Sequence, residues 1–199
     1  LAFVLDNETA ATDTDVTSLD VQNVETLTIN SNGRVSTSTT AQNSIASLTG
    51  DATTINVGGD TSIDLDLAID SPSTGTRAVT VSAATNTAWV DISGAANTKL
   101  SYNITGSDGN DTLALNASGG TLIGGAGNDS LTGGAGNDTL TLTAAALPTV
   151  KDTINGGAGN DTFYSTDTNL ASFHVLDGGA GTDSLKIADL TAVADSQLE

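Results

Sequence analysis

Residues 124–141 read Gly-Gly-Ala-Gly-Asn-Asp-Ser-Leu-Thr and then, without a break, Gly-Gly-Ala-Gly-Asn-Asp-Thr-Leu-Thr. The same nine-residue phrase returns at residues 156–164 and 178–186, and residues 106–114 carry a copy that has lost one glycine. Its form is GGxGxDxUx, where U is a large apolar residue. A short fixed period of this kind predicts a solenoid of stacked β-rungs. A flexible glycine-rich linker would have no need of an apolar residue at a fixed eighth position.

The composition excludes several classes of protein. Of 199 residues, 24 are acidic and 5 are basic, which gives a formal net charge of -19. A nucleic-acid-binding protein needs the opposite sign, and no apolar run is long enough for membrane insertion. Aromatic residues are only 3%, so we expect a thin aliphatic core. Because methionine is absent even at position 1, we expect a fragment or a processed product.

Residues 1–103 contain short runs of alternating apolar and polar residues that end in Gly, Asn or Asp, which predicts strands and turns. The runs lie at residues 25–29, 54–57, 62–67, 78–81 and 89–92. Gly50-Asp51 and Gly59-Asp60 are nine residues apart, and each precedes an apolar strand. We interpret residues 1–103 as an irregular continuation of the solenoid. A separate small β-sandwich is the alternative.

Residues 104–199 are predicted to form a β-roll with insertions near 142–147 and 165–168. The aspartates fix the register, because one full coil of two nonapeptides takes 18 residues, whereas Asp129 and Asp152 are 23 apart and Asp161 and Asp183 are 22 apart. Alternate repeats then lie on opposite edges of the coil. One edge should carry Asp111, Asp129, Asp152 and His174; the other should carry Gly120, Asp138, Asp161 and Asp183.

The phrase also predicts a ligand. Calcium takes six to eight oxygen ligands in flexible geometry. Glycines at positions 1, 2 and 4 are expected to take positive φ and to turn carbonyls inward, and the aspartate at position 6 supplies charge. Position 8 should fill the core with Leu113, Leu131, Leu140, Ile154, Phe163, Leu176 and Leu185. The fold class is therefore all-β, a right-handed parallel β-helix or β-roll with calcium in stacked glycine-rich turns.

Folding should depend on that calcium. Rows of carboxylates about 4.8 Å apart would otherwise repel one another, and a site of this kind does not exist in the unfolded chain. We expect disorder in chelator beyond residue 105. About three calcium sites are expected within residues 104–187, with more possible.

These motifs resemble the RTX family of secreted calcium-binding proteins over residues 104–187. The resemblance implies secretion through a type I system and folding outside the cell on meeting calcium. It implies a first site at Gly106, Asp108, Asp111, Gly125, Gly127 and Asp129. It implies a second at Gly133, Ala135, Asp138, Gly157, Gly159 and Asp161. It implies a third at Gly156, Ala158, Asp161, Gly179, Gly181 and Asp183. A fourth would join the Gly124 turn to Asp152, where Pro148 and Val150 replace glycines.

The first half is similar to RTX-type bacterial surface-layer proteins. The similarity rests on the segment Asn23–Ile29, on the Thr-rich strands and on the segment Asn103-Ile-Thr-Gly-Ser, which leads into the repeats. That similarity implies a structural subunit of an S-layer lattice at the bacterial cell surface, with calcium and further copies of itself as partners. The alternative is a calcium-folding module of an adhesin, toxin or exoenzyme. Ice binding is more distant, since it needs a flat outward ladder of Thr and Asn at matched positions, whereas the third position of the repeat is Ala or Asp.

No enzymatic activity is expected. One histidine cannot form HExxH or serve a triad, and no residue here is assigned a catalytic role. His174 is expected to lie in a degenerate repeat turn that binds no ion, because calcium prefers oxygen ligands. Asp64 and Asp66 flank Leu65 and could add a calcium or lattice contact, although a solvated face is the commoner outcome. Trp89 is expected to pack in the core or at a strand edge.

Overall fold

The computed structural model describes residues 1–7, 15–33, 43–70, 72, 74–94, 97–115, 118–142, 150–166 and 175–188. Within these ranges every regular element is a β-strand. The strands are β1 Ala2–Asn7, β2 Asp15–Val16, β3 Leu19–Val21, β4 Thr26–Gly33, β5 Asn43–Gly50, β6 Thr54–Gly59, β7 Ile63–Leu67, β8 Arg77–Asn86, β9 Val90–Gly94, β10 Leu100–Thr105, β11 Thr112–Ala114, β12 Thr121–Ile123, β13 Ser130–Ala135, β14 Thr139–Thr141, β15 Thr153–Ala158, β16 Thr162–Thr166, β17 Val175–Asp177 and β18 Ser184–Ala188.

From β4 onward the chain alternates between two parallel sheets. Sheet A has the order β1-β4-β6-β8-β10-β12-β14-β16-β18, and sheet B has the order β17-β15-β13-β11-β9-β7-β5-β2, with β3 also paired to β5. Each strand therefore pairs with the strand one coil earlier and the strand one coil later. The predicted all-β parallel solenoid is confirmed. No helix capable of spanning a membrane occurs in the described part of the chain.

The core is a pair of aliphatic columns, one from each sheet. Every second side chain of a strand points inward, and the strand register aligns these residues from coil to coil. Sheet A contributes Leu27, Ile55, Val81, Ile104, Leu122, Leu140 and Phe163, all buried. Sheet B contributes Ile45, Leu65, Ile92, Leu113, Leu131 and Ile154, also buried.

Two predicted core residues differ from this pattern. Leu176 is only partly buried, and Leu185 is 46% exposed. Both lie in the last described coil, where β17 and β18 have a described neighbour on one side only. The prediction that Leu185 fills the core is therefore wrong for the described residues, because a core position needs a neighbour above and below.

The strand pairings confirm the predicted register on both edges. Thr112 pairs with Ser130, Ser130 with Thr153, and Thr153 with Val175. On the other edge Thr121, Thr139, Thr162 and Ser184 follow one another in the same way. His174 lies outside the described residues, as do most of the predicted insertion at 142–147 and the second half of that at 165–168.

Both sheets run across residue 103, since β10 pairs with β8 and β12 in sheet A and β9 pairs with β11 in sheet B. All strand pairings among the described residues of 1–103 are parallel, whereas a sandwich of this size is built from antiparallel strands. The turns of this half bury neutral polar groups instead of carboxylates. Asn43 Nδ2 donates to Ser31 Oγ at 2.8 Å, and Asn86 Nδ2 donates to the Thr61 carbonyl at 3.2 Å.

Candidate metal centre

Two columns of buried aspartates run along the edges of the solenoid. Asp111, Asp129 and Asp152 are 1%, 3% and 4% exposed on one edge; Asp138 and Asp161 are 2% and 1% exposed on the other. Carboxylates are rarely buried without compensation, since desolvation disfavours their charge. In the two coils before the repeats the same slots hold apolar or aromatic residues: Ile63, Val90, Val79 and Tyr102. Further back they hold Asn43, Thr53 and the exposed Glu25, so the buried aspartates are confined to the second half.

One oxygen of each aspartate is used in a ladder that links neighbouring coils. Oδ1 accepts the backbone N–H of the residue in the same slot one coil earlier. The distances are 2.9 Å from Asp111 N to Asp129, 2.9 Å from Asp129 N to Asp152, 2.8 Å from Gly120 N to Asp138, 2.8 Å from Asp138 N to Asp161 and 2.9 Å from Asp161 N to Asp183. Such charge-assisted bonds are stronger than neutral ones, so each carboxylate holds the previous turn in place.

The other oxygen, Oδ2, faces the first glycine of its own repeat. A Cβ at Gly133 would lie 2.6 Å from Asp138 Oδ2 and would also meet the carbonyl oxygen of Gly156, one coil later. Gly156 is surrounded in the same way by Asp161 Oδ2 and the Gly178 carbonyl. Two acceptor oxygens from successive coils thus converge on one point. A cation bound at this point would relieve the repulsion between them.

Glycine is required at positions 1, 2 and 4 for two different reasons. Positions 2 and 4 of the strict repeats have φ between 83° and 141°, as expected. Position 1 does not: Gly124, Gly133, Gly156 and Gly178 are absent from the positive-φ residues, so that part of the prediction is wrong. Position 1 is glycine because Oδ2 occupies the place of a Cβ.

The electrostatics of these oxygens fit a divalent cation. Among the described residues, Asp138 Oδ2 and Asp161 Oδ2 are buried and have no hydrogen-bond partner. Burial raises the pKa of Asp129 and of Asp138 to about 7, and neighbouring carboxylates add to the rise. Burial also raises the pKa of Asp111. A bound cation would reverse these shifts by stabilising the charged form.

Calcium would have to take most of its ligands from the backbone. Within the described ranges no three acidic or imidazole side chains come together as a metal cluster, and two carboxylates fall short of the six to eight oxygens that calcium takes. The residues that would hold it are the aspartates of each column with turn carbonyls of two successive coils. The hard, all-oxygen ligand set suits calcium, which would supply positive charge to the turns.

The backbone carbonyls predicted to bind calcium differ in what they contact. The carbonyls of Gly156 and Gly178 approach the aspartate of the previous coil. By contrast, the Gly157 carbonyl accepts a hydrogen bond from Ala180 N at 2.7 Å, and the Ala135 carbonyl accepts one from Gly119 N at 3.1 Å. Asp108 is exposed on the turn surface. The other predicted carbonyls lie in the same stacked turns: Gly106, Gly125, Gly127, Gly133, Ala158, Gly159, Gly179 and Gly181.

Asparagine at position 5 has a role that the motif GGxGxDxUx leaves out. Its Oδ1 accepts the N–H of the residue at position 5 one coil later, opposite in direction to the aspartate ladder. The distances are 2.8 Å from Asn128 N to Asn110, 2.7 Å from Lys151 N to Asn128, 2.8 Å from Asn160 N to Asn137 and 2.8 Å from Thr182 N to Asn160. The signal was present in the sequence, since four of five turns carry Asn there.

Asp64 and Asp66 lie on the outward face of sheet B, near the paired residue Asp91. Burial first, and then the charges of Asp64 and Asp66, raise the pKa of Asp91 to about 6. Ser93 Oγ donates to Asp66 Oδ1 at 2.5 Å. This group does not form a metal cluster.

Comparison with known proteins identifies the repeats. Residues 103–118, 116–144 and 151–169 match the family model described as RTX calcium-binding nonapeptide repeat. Searches of curated proteins and of solved structures each found no match. The chain therefore carries RTX calcium-binding repeats in the part of the solenoid that contains both aspartate columns.

Proposed function

We propose that these RTX repeats make the chain a calcium-binding structural module of a secreted bacterial surface protein. The observation that carries the proposal is the stack of buried aspartates whose second oxygens, at Asp138 and Asp161, have no partner among the described residues. Extracellular calcium would neutralise these columns and complete the turns. The module would leave the cell unfolded and fold outside, as members of the RTX family do.

Calcium-linked folding is tested directly by far-UV circular dichroism on the full chain. In chelator the strand signal of the coils beyond the first repeat should be missing, and the signal should rise in a saturable way as calcium is added. Magnesium at equal concentration is the control, because it demands tighter octahedral geometry and keeps its water. An unchanged spectrum on addition of calcium would count against the proposal.

We further propose that the module is a subunit of an S-layer lattice. The outward face of sheet A supports this, because it carries a column of uncharged hydroxyl and amide side chains. The column is Thr26, Thr54, Thr80, Asn103, Thr121, Thr139, Thr162 and Ser184. In a chain with net charge -19, a second copy meets less repulsion on this face than on the Asp-bearing face of sheet B.

Electron microscopy of the purified protein with calcium tests the lattice. Ordered two-dimensional arrays are expected, and Thr80→Asp should abolish them by placing charge on this face. Ala46→Asp, at an exposed position of β5 in sheet B, is the matched control and should leave arrays intact. Soluble monomers at every calcium concentration would favour a module of an adhesin, toxin or exoenzyme instead.

The proposed role is structural and not enzymatic. The chain has one histidine and no cysteine, so the usual zinc-protease and nucleophilic arrangements lack their parts. Calcium in such a module supplies charge compensation instead of activating a water molecule.

A further inference from the structure

The turn Gly106–Asp111 has a backbone unlike the turns that follow it. In the strict repeats the residues at positions 2 and 4 have positive φ, as at Gly125 and Gly127. In the first turn the corresponding residues are Ser107 and Gly109, and neither is among the positive-φ residues. The first turn therefore differs in its backbone conformation, although Asp111 Oδ2 and the Gly124 carbonyl still converge at Gly106 as the equivalent oxygens do in the later turns.

The Asp111 carboxylate also differs from the later aspartates in the hydrogen bonds that it accepts. Its Oδ1 accepts the N–H of Val90 at 2.8 Å, the same ladder bond that the later aspartates make, but its Oδ2 accepts the N–H of Ser107 at 2.6 Å. The hydroxyl of Ser107 lies 2.7 Å from Oδ1. Both oxygens of Asp111 therefore have protein donors, whereas Oδ2 of Asp138 and of Asp161 has none among the described residues.

Ser107 ties this turn to the coil before it. Its Oγ lies 2.6 Å from the carbonyl oxygen of Ala88 and accepts the N–H of Gly109 at 3.1 Å. Gly109 packs so closely on the backbone of Trp89 that a Cβ would lie 2.6 Å from Trp89 N. The coil before it has Val90 in the aspartate slot, so it offers no charge for an ion to neutralise.

We propose that the turn Gly106–Asp111 is a metal-independent junction, in which the N–H and hydroxyl of Ser107 compensate the Asp111 carboxylate as calcium would compensate the carboxylates of the later turns. The inference rests on the proposed calcium-binding function and refines it. The coils that lack buried aspartates and this junction form one unit that holds its structure without calcium. The calcium-dependent coils then fold onto this unit, which is already folded and which ends with the Asp111 carboxylate held in position.

This arrangement revises the first implied site. Asp111 was expected to share an ion with Asp129 through the carbonyls of Gly106 and Asp108. With both oxygens of Asp111 bonded to donors of its own turn and of the coil before, an ion there would have to displace hydrogen bonds to a charged group, which are among the stronger bonds in proteins. Calcium dependence should therefore begin after the junction.

Amide hydrogen exchange on the full chain in chelator tests the proposal. The amides of Val90 and Ser107 should remain protected, because Asp111 accepts both, while the amides of Asp138 and Asp161 should exchange as in an unstructured chain. Adding calcium should protect the second pair and leave the first nearly unchanged. Calorimetry on the same sample records whether calcium binds at all.

Ser107→Gly should convert the junction into a calcium-dependent turn. Protection of the Val90 amide in chelator should fall by about tenfold, the loss expected when one hydrogen bond to a charged group is removed, and calcium should restore it. Ser107→Ala removes the same hydroxyl but keeps a Cβ, which disfavours the positive φ of the later turns, so calcium should restore less of the lost protection. Ser101→Gly, the same change on strand β10, is the control and should leave Val90 protected.

The outcomes separate the junction from the function on which it rests. Absence of any calcium binding would defeat the proposed function. Calcium binding with a Val90 amide that exchanges freely in chelated wild type would overturn the junction alone. Equal protection of the Val90 and Asp138 amides in chelator would overturn it too, because the turn would not then differ from the later ones. A Ser107→Gly variant with unchanged protection would remove Ser107 from the role.

Discussion

Each aspartate of the strict repeats uses its two oxygens for different purposes. At Asp161, Oδ1 accepts the N–H of Asp138, while Oδ2 is buried without a partner among the described residues. Asp161→Asn keeps an acceptor for the ladder but removes the charge. Calorimetry should therefore show calcium affinity reduced by about tenfold or more, since calcium is held by charged oxygen ligands.

Asp108→Asn is the control for that experiment. Asp108 is acidic and lies in a repeat turn, yet its side chain is exposed. Its substitution should leave the isotherm unchanged. Identical isotherms for wild type and Asp161→Asn would contradict the role given to the buried columns.

The carboxyl group of Asp91, which lies outside the repeats, predicts how the stability of the fold depends on pH. Its pKa of about 6 in the folded chain lies above the ordinary value near 3.9, so the folded state binds more protons between these values. The proton bound to Asp91 makes its full contribution to the stability of the folded state below about pH 4, and this contribution is lost as pH rises through 6. Asp91→Asn should raise stability at pH 7 by about 1 kcal/mol, because the partly exposed site is screened by solvent, and should have little effect near pH 4. Chemical denaturation at both pH values measures this.

The residues of the site were predicted from sequence more fully than their roles. The aspartates were identified by their fixed sixth position, and their alternation between edges followed from counting. The reason for glycine at position 1 could not be predicted, because it depends on Asp138 Oδ2 folding back over Gly133. Asn137 and its equivalents were overlooked because a motif records identity and not the direction of a hydrogen bond.

At the scale of the element, glycines allow the turns to stack closely. Gly159 has φ of 130°, and a Cβ there would collide with the Gly136 carbonyl of the previous coil. Gly159→Ala should destabilise the fold by about 3 kcal/mol or more, because strain and a backbone collision combine. Gly75→Ala is the matched control: φ is 73° and nothing lies within 4 Å, so the cost should be about 1 kcal/mol. Thermal unfolding in calcium compares them.

The asparagine ladder gives a second prediction for the turns. Asn137→Ala removes the acceptor for Asn160 N and should lower the free energy of unfolding by about 0.5–1 kcal/mol, the net worth of an ordinary hydrogen bond. Asn155→Ala, on the exposed face of β15, should change it far less. Equal effects of the two substitutions in denaturant titrations would argue against the ladder.

Strands were easier to predict than their environment. The alternating runs at 25–29, 54–57 and 62–67 correspond to β4, β6 and β7, because period-two patterning is local. Burial of Leu185 could not be predicted locally, since it depends on whether a further coil covers the position.

For the molecule as a whole, charge should govern stability when calcium is absent. With a net charge of -19, the chelated protein should gain from added sodium chloride, which screens repulsion between carboxylates. We expect the melting temperature in chelator to rise by a few degrees between low and roughly 0.5 M salt, at about 2–4 °C for each 1 kcal/mol in a chain of this length. With calcium bound the rise should be smaller. Circular dichroism melts with matched potassium sulfate controls separate screening from specific ion effects.

The two side-chain ladders run along the stack, as do the backbone bonds between strands. Asp129 and Asn128 reach to neighbouring coils in opposite directions, while in the repeat region the two sheets meet through apolar side chains such as Leu131 and Leu140. The molecule should therefore be mechanically anisotropic. A load along the stack axis acts on many aligned hydrogen bonds at once. A load that flattens the coil acts mainly on the thin apolar core, whose contacts are not directional.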